Sequence, residues 1–455
     1  MYLIYSFLLT LGFLLLLPRF AIDAFRSGKY ITGIGERLGK IPTLDPTAGP
    51  VIWLHCVSVG ETEAARPLVR AIRERLPAHQ LVISTTTVTG QQVARQAFNQ
   101  QATAIFYLPI DWSWTVRRVL RALSPAAFLI METELWPNLL RECRRRSVPV
   151  ALINGRISPK SYRRYQKIRS FMPRVLAGLA VALMQSDEDA TRIAKLGLPE
   201  DRIRTLGNLK FDSATLPANL SSLTFDLRQR FDINASRPLI VAASTHSPEE
   251  SVVIDALKAI RQTPKGKESR LLIAPRHPER FDEVAKLIND SGFSWSRRSS
   301  PPAPDDATSE IILLDSIGEL RSTFQLAEIA FIGGSIIPHG GQNVLEPAAQ
   351  GVCVITGAHT ENFAAIIRAL VTADALIQLP PISVAEASAK LAHAFGELLG
   401  NEARRKAMGA RAQNVCAGSR GATERAVEII GDLVSPRVAT GGGVSVPAVS
   451  LTAAK

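Results

Sequence analysis

From residue 51 onward the chain alternates between two hydrophobic periods. Short, nearly continuous apolar runs occur at 51–57, 81–84, 104–108, 126–131, 148–153 and 180–184, each bounded by turn residues. Unbroken apolarity over four to eight residues suits a strand covered on both faces, so these runs predict strands of a parallel sheet. The intervening segments near 61–76, 89–100, 111–123, 134–146 and 160–178 read as helices. A polar stretch with Pro and Asn near 212–237 breaks the alternation. Strands are then expected near 238–243, 270–274, 311–314, 328–332 and 352–355, with helices between them. Two βα-repeating halves predict an α/β fold of two Rossmann-like domains facing a cleft. The expected divisions are a membrane segment over 1–22, a first domain over 23–211, a linker over 212–237, a second domain over 238–434 and a disordered tail over 435–455.

The N-terminus departs from this alternation. Residues 2–17 are almost wholly apolar, and continuing to Ile22 the stretch is about as long as a bilayer span requires. Lys and Arg follow it rather than precede it (Arg19, Arg26, Lys29, Arg37, Lys40), which argues against a cleaved leader and places the body of the protein on the cytoplasmic side. The expectation is an uncleaved anchor in an inner membrane, with a shallow interfacial helix as the alternative. Four scattered cysteines show no CxxC spacing and predict reduced thiols without a structural zinc.

Charge narrows the partners. The formal net charge of +12 calls for something anionic, and it concentrates between Arg141 and Arg174, where eleven Lys or Arg residues face one acid, Glu142. Within it, Arg163, Arg164, Lys167 and Arg169 interleave with Tyr165, Ile168 and Phe171. Beside an apolar N-terminus that pattern suits anionic lipid headgroups. No aromatic RNA-binding strand or zinc module accompanies the charge, so nucleic acid is not the expected partner.

Candidate chemistry collects at strand ends. Residues 55–63 read His-Cys-Val-Ser-Val-Gly-Glu-Thr-Glu and put Glu61, preceded by Ser58, where a buried strand gives way to a helix. A carboxylate there can be a helix-dipole partner or a functional group at a sheet edge. In the second half, Gly333-Gly334-Ser335 ends a strand and Gly340-Gly341-Gln342-Asn343 precedes a helix containing Glu346. Free amides in such a turn can hold phosphate oxygens, and a carboxylate one turn in can accept ribose hydroxyls. Arg276 and His277 end another strand, where a cation suits a phosphate. By contrast, the glycines at 33, 35 and 39 have the wrong spacing for a dinucleotide loop.

Taken in order, several motifs closely resemble the Kdo transferases of lipopolysaccharide synthesis. They are the 55–63 stretch, Met131-Glu132-Thr133-Glu134-Leu135-Trp136-Pro137-Asn138, Gly207-Asn208-Leu209-Lys210-Phe211-Asp212, Ser244-Thr245-His246, Pro275-Arg276-His277, Gly318-Glu319-Leu320 and Asn343-Val344-Leu345-Glu346-Pro347. The resemblance runs from the N-terminus to about residue 430. It implies a GT-B fold and inverting transfer of 3-deoxy-D-manno-oct-2-ulosonic acid (Kdo) from CMP-Kdo to a lipid A precursor, with no metal or other cofactor. It assigns the proton acceptor to Glu61 and transition-state stabilisation to Glu132, with Glu134 as its rival, and to Lys210. CMP contacts map to Arg276, His277, Gly318, Glu319, Leu320, Asn343, Val344, Leu345 and Glu346. Ser58, Glu134, Asn154, Arg156, Arg163 and Arg164 are candidates for acceptor binding or support.

Four positions depart from the family pattern: Gln342 and Val344 replace the more usual His and Pro, Gly155 a usual Ala, and Pro248 a usual Gly. None removes an expected catalytic group. Physical reading alone leaves two other classes open: another membrane-associated GT-B sugar-nucleotide enzyme, such as a UDP-sugar transferase or epimerase, or a non-catalytic binder of anionic lipid.

Overall fold

The computed structural model describes residues 1–27, 33–213 and 220–435. The chain forms two compact units, one of Met1–Ser213 together with the segment from Arg420 onward, the other of Ala214–Ser419. The first unit holds a seven-stranded sheet of β1 (Val51–His55), β2 (Gln80–Thr85), β3 (Ala104–Tyr107), β4 (Ala127–Met131), β5 (Val150–Gly155), β6 (Val181–Met184) and β7 (Ile203–Thr205). Its order is β3-β2-β1-β4-β5-β6-β7, and every pair is parallel. The second unit repeats the plan with β8 (Leu239–Thr245), β9 (Arg270–Pro275), β10 (Trp295–Arg297), β11 (Ile311–Leu313), β12 (Ile329–Ile332), β13 (Cys353–Thr356) and β14 (Leu376–Gln378), ordered β10-β11-β9-β8-β12-β13-β14. Two parallel-sheet α/β domains of this kind agree with the GT-B fold expected from the sequence.

The strand runs are apolar throughout because both faces are covered. In the first unit Trp53, Phe128, Ile130, Val150 and Leu152 enter one core, while Ile52, Leu54, Leu129, Met131, Ala151 and Ile153 enter the other. That is the alternation of successive side chains in a strand with helices on both sides. Two expected long helices are broken. The segment over 61–76 divides into Val59–Ala64 and Arg66–Arg75 beside Pro67, and the segment over 160–178 into Pro159–Gln166 and Met172–Leu176 beside Pro173.

The domain limits need correction at two places. Residues 212–237 are not a plain linker: Leu220–Arg230 is a helix of the second unit, where the Thr224 hydroxyl donates to the Ser322 carbonyl at 3.3 Å. The final helix, Ala422–Val434, belongs to the first unit rather than the second. Its stripe of Ala422, Ala426, Val427 and Ile430 completes the core that holds Ile52, Leu54 and Leu129. The tail expected after Ser435 lies outside the described residues.

The N-terminal helix, Tyr2–Ser27, docks side-on to the first unit. Tyr2 and Tyr5 pack on its core; the Tyr5 hydroxyl donates to Asp111 at 3.0 Å, Asn138 to the Ser6 hydroxyl at 3.0 Å, and the Trp112 indole to Thr10 at 3.1 Å. Phe13 meets the Trp112 ring edge-on at 5.1 Å. The opposite side is apolar and open, with Leu3 84% and Phe7 66% exposed. Among the described residues no helix is long and apolar enough to cross a membrane, so the fold does not support the expected span over 1–22.

Candidate active site

In the first sheet β1 lies between β2 and β4, so the chain order reverses between β1 and β4. Loops leaving the carboxyl ends of strands at such a reversal form the usual ligand crevice of open α/β sheets. Glu61 follows β1 and Glu132 follows β4, so both expected carboxylates come from that point. Ser58 caps helix Val59–Ala64, with Glu61 three residues on. In a capping box that Glu reaches back to the cap residue's own amide. Here Oε2 instead accepts the Val57 N–H at 2.7 Å, while the Ser58 hydroxyl stands 3.5 Å from Oε1. Oε1 is therefore the less engaged oxygen. Glu61 is only 8% exposed, and burial, reinforced by the nearby charge of Glu132, pushes its carboxyl up to about 8 against the Val57 hydrogen bond. Glu134 raises it further and Lys210 opposes, each more weakly.

Glu132 sits in the left-handed region at φ 54, a conformation that costs a non-glycine residue roughly 1–2 kcal/mol. Its Oε1 lies 3.3 Å from the Lys210 ammonium. Lys210 is held by a braced loop. Its amide donates to Asn208 Oδ1 at 3.0 Å, Asn208 donates to Gln185 at 3.1 Å, and Gln185 donates to the Asn154 carbonyl at 2.9 Å. Asn154 Oδ1 closes the circuit by accepting the Leu209 amide at 3.0 Å. Fully buried and left-handed at φ 56, Asn154 braces the Lys210 loop rather than facing a ligand. The Arg156 carbonyl accepts from the Thr133 hydroxyl and ties the Glu132–Glu134 loop to the end of β5. Glu134 is raised by burial and then by Glu132, which places it beside the same cluster. Arg163 and Arg164 stand exposed on helix Pro159–Gln166, outside it.

Asp212, two residues beyond Lys210, had no assigned role in the sequence. It accepts the Gly421 amide at 2.8 Å and the Thr423 amide at 2.7 Å, and so caps the last helix. One short motif thus carries both the loop cation and the tie to a segment 209 residues away.

The second sheet reverses between β8 and β12. The expected phosphate loop Gly333-Gly334-Ser335 lies there, but its amides are taken. Glu249, fully buried at the start of helix Glu249–Ile260, accepts Gly334 at 2.7 Å, Ser335 at 2.9 Å, Ile336 at 3.0 Å and the His246 amide at 3.1 Å. The anion this turn holds is the chain's own carboxylate. Burial still lifts that carboxyl above its ordinary value despite the four donors. Beside it, His246 stacks on His339 at 4.6 Å and meets His277 edge-on at 5.2 Å, while the Gln342 amide lies 3.3 Å from His246 Nε2. Burial, then the two neighbouring imidazoles, push His246 down to about 4. The sequence singled out Ser-Thr-His, His277 and Gln342 separately, but nothing in it brought them together or pointed to His339.

The remaining expected nucleotide residues fall into two turns. Asn343 Oδ1 accepts the Leu345 amide at 3.0 Å and its Nδ2 donates to Glu346 at 3.1 Å, which aims the Glu346 carboxylate; Val344 and Leu345 are buried beneath. Gly318, at φ 91, opens the other turn before Leu320. The Glu319 side chain is already engaged by Arg298 Nε and Nη2, at 2.9 and 3.0 Å, and by Ser316 at 2.6 Å. Arg276 and His277 are exposed at the end of β9. All four cysteines are free and buried, and among the described residues no group of three or more His, Cys, Asp or Glu could hold a metal ion.

The family model for 3-deoxy-D-manno-octulosonic-acid transferase (kdotransferase) matches residues 32–213. The chain is 33% identical over 429 residues to the 3-deoxy-D-manno-octulosonic acid transferase of Haemophilus influenzae, covering 94% of this chain and 97% of that one. It is 36% identical over 400 residues to the Bordetella pertussis enzyme of the same name, covering 85% and 88%. Among solved structures, UDP-GlcNAc 2-epimerase from Neisseria meningitidis bound to UDP-GlcNAc covers 84% of this chain and 99% of its own, with a TM-score of 0.57 and 12% identity. That likeness shows the fold alone.

Proposed function

Since this chain belongs to the Kdo transferase family, we propose that it moves Kdo from CMP-Kdo onto a lipid A precursor during lipopolysaccharide synthesis. It is a glycosyltransferase, and the observation that carries the reading is identity of 33% maintained over 94% of the chain. Glu61 is the general base. Its Oε2 is occupied by the Val57 amide, so Oε1 takes the proton from the acceptor hydroxyl as that oxygen attacks the anomeric carbon of Kdo. Inversion follows because CMP leaves from the opposite face. Glu132, paired with Lys210, stabilises the charge that develops, and the Lys210 ammonium offsets the donor's carboxylate.

CMP binds to the second unit. Glu346, aimed by Asn343, accepts the ribose hydroxyls, and Arg276 and His277 meet the phosphate. The backbone of residues 318–320 lines the nucleotide, because the Glu319 carboxylate is committed to Arg298. With Lys210 and Arg276 supplying positive charge, the proposed reaction uses no metal. The apolar outer face of the N-terminal helix and the basic segment 141–174 hold the protein to anionic lipid at the cytoplasmic face of the inner membrane.

Purified protein incubated with CMP-Kdo and a lipid A precursor should release CMP and increase the lipid mass by the Kdo residue or residues added. No transfer under conditions where the protein is folded would refute the reading.

A further inference from the structure

The first unit contains a cavity of about 570 Å³ that the proposed chemistry does not use. One wall is the N-terminal helix, through Ile4, Tyr5 and Leu8; another is formed by Ile168 and Phe171, between helices Pro159–Gln166 and Met172–Leu176, and by Val175 of the second of these. Its volume lies within the roughly 300–1,000 Å³ of small-molecule sites. The lining is overwhelmingly aliphatic and aromatic, with polar groups at few places. Glu134 is one of them and sits two residues from Glu132, the partner of Lys210. Lys167 is another.

The other end opens to the surface. Ile4 and Leu8 line the cavity and are also 62% and 58% exposed, beside Leu3 and Phe7 on the outer face of the same helix. An apolar path therefore runs from an exposed hydrophobic face to the carboxylate cluster. Cations border it: Arg141 lies over the Tyr2 ring at 4.7 Å, and Lys167 and Arg169 belong to the basic segment. A long hydrocarbon chain joined to an anionic head fits this arrangement of apolar interior and basic surroundings.

We propose that this cavity takes one fatty acyl chain of the lipid acceptor while the sugar hydroxyl is presented to Glu61. This rests on the reading of a lipid-borne acceptor given above. The N-terminal helix is then a wall of the substrate site as well as a contact with the membrane. Each methylene removed from the bound chain costs roughly fourfold in kcat/KM, until the chain no longer reaches the cavity.

The test uses the full chain, with Leu8→Trp and Ile168→Trp filling the cavity from two different elements. Both positions are about half exposed, so the larger side chain can be added without displacing the core. Transfer is measured to the acylated precursor and to the same phosphorylated disaccharide with its acyl chains removed. Both variants should lose at least tenfold in kcat/KM on the acylated acceptor, while the deacylated acceptor and CMP affinity change less than twofold. Equal loss on both acceptors, or no loss on either, overturns the proposal. So does weaker binding to phospholipid vesicles with an unchanged ratio between the acceptors, since the cavity would then belong to bilayer lipid. Failure of the wild-type protein to transfer to either acceptor refutes the broader reading, and the assignment falls with it.

Discussion

Replacing Glu61 by Gln should stabilise the first unit at neutral pH while removing transfer. Raising a buried carboxyl from 4.5 to about 8, at about 1.36 kcal/mol per pH unit, makes the charged form on the order of 5 kcal/mol more costly in the folded state. The folded protein then holds this proton at pH values where the unfolded chain has lost it. Stability from this group is accordingly unaffected below pH 4.5, falls as pH rises, and reaches its lowest level above pH 8. At pH 7 the loss is ~3 kcal/mol. Gln does not titrate, so the advantage of Glu61→Gln over wild type should grow by about that amount between pH 4.5 and 7, whatever constant offset the amide introduces. Urea unfolding followed by tryptophan fluorescence suits the measurement, because Trp53, Trp112, Trp114 and Trp136 lie in the first unit and Trp295 alone in the second. Activity should move the opposite way. Loss of a general base costs about 10²–10⁴ in rate, and wild-type kcat/KM should rise with pH toward about 8 as Glu61 loses its proton. Parallel stability curves for the two proteins across pH, or transfer by the variant within threefold of wild type, would refute the reasoning.

Other substitutions test the second unit. Glu249→Ala leaves the Gly334, Ser335, Ile336 and His246 amides without their acceptor, at ~1–3 kcal/mol for each that water cannot reach. A loss of more than 3 kcal/mol is therefore expected, and unchanged unfolding of the second unit, followed by Trp295 fluorescence, would show that the loop is held by something else. Glu346→Ala should weaken CMP binding by roughly 1–3 kcal/mol in calorimetric titration, with unchanged affinity removing it from the ribose role, and chelator should leave turnover intact. His246, lowered to about 4, takes up a proton in the unfolded chain near 6.5 but not in the folded one, so its contribution to stability is complete above 6.5 and is lost as pH falls toward 4. His246→Asn should flatten that acid limb, and an unaltered limb would mean the imidazole is protonated in the fold.

The sequence made most of this plan legible, and the gaps share a physical origin. Strands buried on both faces announce themselves as apolar runs, so β1, β4, β8 and β12, which bear the two switch points, were all visible. β7, β10 and β14 were not. Each is three residues long, lies at a sheet edge and is partly exposed, so none produces an unbroken apolar signal. Glu61 could be placed at a strand-to-helix turn because its neighbours in sequence are its neighbours in space. Glu249 could not be matched to Gly334, since 85 residues separate the carboxylate from the amides it satisfies. The glycine turn looked like an empty anion cradle for that reason. The last helix was placed with the wrong half on similar grounds, as nothing local to Ala422 indicates Asp212 as its cap.

That capping places the whole of the second unit, in topological terms, as an insertion in the first. Synthesis from the N-terminus produces the seven strands bearing Glu61, Glu132 and Lys210 early, yet Ala422, Ala426, Val427 and Ile430 close one face of their sheet only after the whole of the second unit has been made. Until then Ile52, Leu54 and Leu129 lack part of their cover, and the Asp212 carboxylate lacks the two amides it binds. The second unit is contiguous in the chain, whereas the first, which holds Glu61, must wait for the helix that follows the second. A nascent protein therefore has all of its second unit before the sheet that bears Glu61 and Glu132 is fully covered. The order of assembly is written into where one helix lands.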